Sequence, residues 1–172
     1  GNACQDFWQY RYKGIFQCNV AIQKIPRLTF NNETYKQRLL GEAKFLRAYQ
    51  YFELVRNFGG VPLVKGLKMP NEIKGITRAS VEETYAMIEQ DLLEAIEVLP
   101  LRSAQSSAEI GRATKGAAQG LLAKVYLYQE KYKEAETQLQ AVMKSNEYSL
   151  LSNFSDVWSM DHNNSQESLF EI

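Results

Sequence analysis

The stretch GRATKGAAQGLLAKVYLYQEKYKEAETQLQAV, residues 111–142, constrains the fold more than any other part of this chain. Apolar residues recur at helical spacing twice. Ala118, Leu121, Leu122, Val125 and Tyr126 mark one face, then Tyr132, Ala135, Leu139, Val142 and Met143 mark a second. The polar break at Gln129-Glu130-Lys131 is short enough to force the two helices antiparallel, and Ala118, Ala123 and Ala135 are small enough to let them approach closely. Size-specific positions coincide with those of a tetratricopeptide repeat: Leu122-Ala123, Tyr126, Tyr132 and Ala135 all fall in place. The first position departs, with Gln119 where a tryptophan is usual.

Three further helices precede this hairpin. The spacing of Phe7, Gly14, Ile15, Cys18, Ala21 and Ile22 predicts a helix from about Asp6 to Lys24, stopped by Pro26. A long second helix runs from about Asn32 to Phe58. Leu39, Ala43, Leu46 and Tyr49 line one side of it, and Phe45, Phe52, Val55 and Phe58 widen the stripe. Gly59-Gly60 ends this helix, because glycine takes the left-handed conformation of a C-cap without strain. VPLV then leaves as an extended segment, and residues 65–79 read as a loop with Gly66, Pro70 and Gly75. Ser80 and Glu83 form a capping box that opens the third helix; Val81, Tyr85, Ile88, Leu92, Ala95 and Leu99 make its apolar face, and Pro100 closes it. Thr114 is the expected N-cap of the fourth. Beyond the fifth helix the periodicity is lost: EYSLLSNFSDVWSM reads as loop with aromatic anchors, and SLFEI as a short strand. The expectation is one all-α domain over residues 1–172, about five helices in tetratricopeptide-like hairpins with an irregular tail over 146–172.

Recognisable catalytic chemistry is missing from this pattern. Twenty basic residues balance twenty acidic ones, so bulk charge recruits neither nucleic acid nor an anionic membrane surface. Cys4 and Cys18 on one continuous helix would lie about 21 Å apart, beyond disulfide reach, and are expected as two unrelated thiols. With one histidine they make no metal site, and His162 in SMDHNNSQ reads as a solvated loop residue. No phosphate loop, dinucleotide fingerprint, nucleophile elbow or HExxH occurs. Glu82-Glu83 and Asp91/Glu94 fall where a solvated helix face is expected, unlike a glycosidase pair. Neither an enzyme nor a cofactor is expected.

Three phrases, GEAKFLRAYQYFELVRNFGGVPLV (41–64), TRASVEETYAMIEQDLLEAIEVLP (77–100) and GRATKGAAQGLLAKVYLYQEKY (111–132), with the closing NNSQESLFEI, together resemble the SusD/RagB family. These are surface glycan-binding lipoproteins of Bacteroidetes nutrient-uptake systems. The resemblance implies the tetratricopeptide-like helical core of a longer, non-catalytic binder, surface-exposed at the outer membrane and attached only through a lipid anchor outside this chain. It also implies a SusC-like TonB-dependent transporter as partner and an oligosaccharide, or in some members a peptide, as ligand. Gly41, Arg47, Gly59, Pro62, Arg112 and Lys115 match the family pattern and read as caps, turns and packing. For ligand contact the candidates are Trp8 and Tyr12 in QDFWQYRY, which share a helix face at i,i+4 beside Gln9 and Arg11. The same pair also suits plain packing against a neighbouring helix. A free-standing tetratricopeptide module that binds peptide tails is the rival. It is weakened because Lys115, Lys124, Lys131 and Lys133 do not fall on one helical stripe.

Overall fold

The computed structural model describes residues 2–171, and its helices are capped largely as the sequence dictates. Asn2 caps α1 (Ala3–Lys24) by accepting from Cys4 N, and Asn32 caps α2 (Glu33–Phe58) by accepting from Tyr35 N. Gly59, at φ 71°, terminates α2, and Gly60 sits so close to the backbone of Ala79 that an added Cβ would lie 2.1 Å from its carbonyl oxygen. A short helix, α3 (Pro70–Ile73), forms inside the stretch expected to be loop. Pro70 occupies its first turn, where the missing N–H is not needed, and Glu72 reaches back to accept from Met69 N at 2.7 Å. The capping box of α4 (Val81–Val98) closes both ways: Glu83 N donates to Ser80 Oγ at 3.1 Å, and Ser80 N to Glu83 Oε2 at 2.8 Å. Thr114 Oγ1 accepts from Ala117 N to cap α5 (Lys115–Leu127), which is followed by α6 (Tyr132–Lys144).

The described chain is therefore all-α with six helices, one more than expected. The expected strand over SLFEI does not form. The Ser168 carbonyl accepts from Arg102 and the Ser168 hydroxyl binds Glu171, so the segment is held by side chains and not by a ladder; Ile172 lies outside the described residues.

Two compact units divide the chain, Gly1–Ala95 and Ile96–Ile172. In the first, α1 packs along α2 around Ile15, Phe45, Ala48, Tyr51, Phe52, Leu54 and Ile88. In the C-terminal half of α2, Tyr51, Phe52, Leu54 and Val55 are all buried. Leu46, expected in the stripe, is instead 38% exposed. In the second unit α5 packs on α6, with Ala118, Leu122, Val125, Tyr126 and Ala135 buried. The turn between them is a Schellman motif: Lys131 N donates to Tyr126 O, Glu130 N donates to Leu127 O, and Glu130 takes φ 60°. The expected apolar face of α6 is buried only at Ala135, since Tyr132, Leu139 and Met143 are exposed.

Candidate functional site

Trp8 and Tyr12 sit one turn apart on α1, as their spacing predicts, with ring centroids 4.9 Å apart. Both are half-buried. Phe58 meets Trp8 edge-on at 5.1 Å, and Tyr51 meets Tyr12 edge-on at 6.5 Å. The Tyr12 hydroxyl donates to Pro62 O at 2.8 Å, and burial pushes its pKa above the ordinary phenol range, Tyr51 reinforcing and Arg78 opposing. Arg11 lies over the Phe7 ring and donates to Gln50. Among the described residues nothing accepts from the Trp8 indole N–H. Of the pair, Trp8 therefore keeps an unused N–H, while the Tyr12 hydroxyl is spent on Pro62.

Below this cluster a polar network holds the extended segment after α2. Arg47 forks onto Asp91 with two 2.7 Å bonds and donates to Asn19 Oδ1 at 2.8 Å. Asn19 in turn donates to Val64 O and Gly66 O. Tyr51 Oη accepts from Val64 N at 2.8 Å, and Gln23 accepts from Leu67 N. Asp91, expected on a solvated face, is instead 4% exposed, because Arg47 of α2 reaches it and satisfies both oxygens. Its neighbour Glu94 is partly exposed and pairs with Lys44. Tyr51 is pushed up to about 12 and the Cys18 thiol to about 11, in both cases chiefly by burial. Cys4 and Cys18 are both free thiols.

In the second unit the tail beyond α6 is irregular but anchored. Arg102 donates to Asn164 O at 2.7 Å and to Ser168 O at 3.0 Å, and its guanidinium lies 5.6 Å from the Tyr148 ring centroid. Glu147 accepts from both Ser103 N and Ser103 Oγ. Tyr148 hydrogen-bonds Thr114 at 2.7 Å, and burial raises its phenol pKa. Two glycines make this possible. A Cβ on Gly116 would lie 2.4 Å from Tyr148 Cε2, and one on Gly120 would lie 2.8 Å from Leu169 Cδ1. Helix α5 thus offers two bare backbone seats, one turn apart, for side chains of the tail. A cleft of about 340 Å³ opens between the tail and the loop before α5. Sequence reasoning did not find this cleft. Farther along, Phe154 and Trp158 stand 77% exposed with rings 6.4 Å apart, and His162, exposed as expected, lies 4.0 Å from Asp156.

Comparison with known proteins settles the family. A SusD-like family described as "starch-binding associating with outer membrane" matches residues 2–127. The chain belongs to the SusD/RagB family. It is 33% identical over 147 residues to SusD-like protein P38 of Formosa agariphila, covering 85% of this chain and 27% of that protein. Among solved structures, a SusD-like protein of Bacteroides fragilis superposes with TM-score 0.90 at 34% identity, covering 98% of this chain and 33% of that one. A laminarin-binding SusD-like protein superposes with TM-score 0.89 at 37% identity, covering 96% of this chain and 37% of that one. The chain thus spans roughly a third of the length of the SusD-like proteins it matches.

Proposed function

We propose that this chain is the helical portion of a non-catalytic, surface-exposed glycan-binding protein of the outer membrane. It captures oligosaccharides and passes them to a SusC-like TonB-dependent transporter. The observation that carries this reading is the match of most of the chain to a SusD-like family described as starch-binding, together with the likeness to a laminarin-binding structure. Within the first unit, ligand contact is assigned to Trp8 backed by Tyr12. An indole face and its N–H combine the stacking surface and the donor that a pyranose ring uses.

The test is calorimetry of the pure chain with laminarin and starch, set against an acidic peptide as the tetratricopeptide-module alternative. Glycan binding weakened by Trp8→Ala, without release of reducing sugar, supports the proposal. Peptide binding without glycan binding refutes it, and hydrolysis of either polysaccharide refutes the non-catalytic role.

A further inference from the structure

We propose that the cleft of the second unit is a binding site for the end of a neutral oligosaccharide. This rests on the glycan-binding reading but assigns a place that the reading does not name. Three observations carry it.

The first is that the cleft is built before any ligand arrives. Tyr148 lies on the bare backbone of Gly116 and Leu169 on that of Gly120, while Arg102 ties the tail at two carbonyls. A preformed wall spares a ligand the ordering of loops on binding.

The second is the chemistry left over once internal bonds are counted. Both terminal nitrogens of Arg102 are occupied by carbonyl oxygens, and Glu147 offsets one of the two guanidinium charges, Arg102 and Arg112, that the lining carries. An anion therefore meets no open guanidinium fork at Arg102. Of the three lining carboxamides, Asn146 turns its Nδ2 to Lys144 O, and Gln105 and Asn164 remain. Gln105 uses its Nε2 on Arg112 O, and among the described residues its Oε1 has no donor. The Asn164 carboxamide lies over Gly111, which at φ 93° carries no side chain to cover it. Side-chain amides offer donor and acceptor together, matching vicinal hydroxyls, and Ile110 and Leu169, with the edge of Tyr148, supply apolar surface for the C–H face of a pyranose.

The third is size. A cavity of about 340 Å³ stands at the small end of ligand pockets. It suits one or two sugar units at a chain end, not the middle of a long polymer.

The experiment is a nitrogen-15 NMR titration of the full 172-residue chain with laminaritriose, maltotriose and, as the acidic counterpart, trigalacturonate, with affinities from calorimetry. A neutral trisaccharide is expected to shift the side-chain amide signals of Gln105 and Asn164. Ile110→Trp, at a position 56% exposed, narrows the cleft without touching the core and should weaken binding at least tenfold. Gln105→Ala should weaken it about fivefold, the loss of one neutral hydrogen bond. Trisaccharide binding that shifts only the Trp8 indole signal and ignores both variants overturns the cleft while the glycan-binding reading stands. Preference for trigalacturonate overturns the assigned ligand class. Failure of all three probes while laminarin or starch still binds overturns the cleft alone, and failure of the polymers as well overturns both.

Discussion

Gly116→Ala tests whether glycines on α5 are seats for the tail. In an unobstructed helix interior the exchange gains about 1 kcal/mol, because alanine loses less backbone entropy and shields the helix; at Gly116, the second residue of α5, the gain is at most that. Here the new methyl would lie 2.4 Å from Tyr148 Cε2 and 2.7 Å from its hydroxyl oxygen, well inside van der Waals contact. The ring must move outward, and overpacking of this kind costs about 1–3 kcal/mol. Movement of the ring also breaks the 2.7 Å bond between Tyr148 and Thr114, a further loss of about 1 kcal/mol. The opposing effects leave a net destabilisation of about 2 kcal/mol, which lowers the melting temperature of a chain this size by about 4–8 °C. Thermal unfolding followed by circular dichroism reads this directly. The decisive control is the same exchange in a Tyr148→Ala background, where no ring stands in the way and the substitution should stabilise, by at most about 1 kcal/mol. If Gly116→Ala stabilises the otherwise unaltered chain, or if the sign fails to invert between the two backgrounds, Tyr148 does not rest on that backbone.

Asp91→Ala strands the Arg47 guanidinium in the interior and should cost about 3–5 kcal/mol in urea unfolding; replacing both partners with apolar residues should restore most of it. Glu130→Gly relieves the left-handed backbone at the α5–α6 turn and should stabilise by about 1 kcal/mol in the same assay. A thiol-reactive chromogen should label exposed Cys4 promptly in the native chain and reach Cys18 only on unfolding, because Cys18 is buried and its pKa is pushed up to about 11. On the alkaline side, Tyr51 ionises at its ordinary value of 10.0 in the unfolded chain but at about 12 when folded. Its contribution to stability is therefore intact below pH 10 and lost as pH rises through 12, which urea midpoints across that window will show.

Local patterns in the sequence carried the five long helices, the caps of α4 and α5 and the α5–α6 turn because the groups that decide them lie within a few residues of each other. The Ser80–Glu83 box, the Thr114 cap and the crossing at Tyr126 and Ala135 are of this kind. Asp91 shows where such reading stops. On α4 alone, a carboxylate at the margin of an apolar stripe is indistinguishable from a solvated one, and only Arg47, arriving from another helix, decides its burial. The same holds for SLFEI, whose β-prone composition is overridden by Arg102 taking the Ser168 carbonyl.

Gly116 and Gly120 left a signal that local periodicity does not interpret. A good helix-forming segment has no local use for two glycines one turn apart, since each weakens the helix, so something must lie against that face. What lies there, Tyr148 and Leu169, comes from the irregular tail, where no period links sequence to position. The helical scaffold was thus legible from spacing, whereas the cleft depends on pairings between that scaffold and an aperiodic segment. Trp8 and Tyr12 fall between these cases. Their shared face follows from spacing on α1, but their different surroundings follow from Pro62 and Phe58, which only the fold brings alongside. Trp8→Ala removes both the stacking surface and the free N–H, whereas Tyr12→Phe removes only the bond to Pro62. A ligand held at this cluster should therefore lose affinity with the first substitution and retain it with the second.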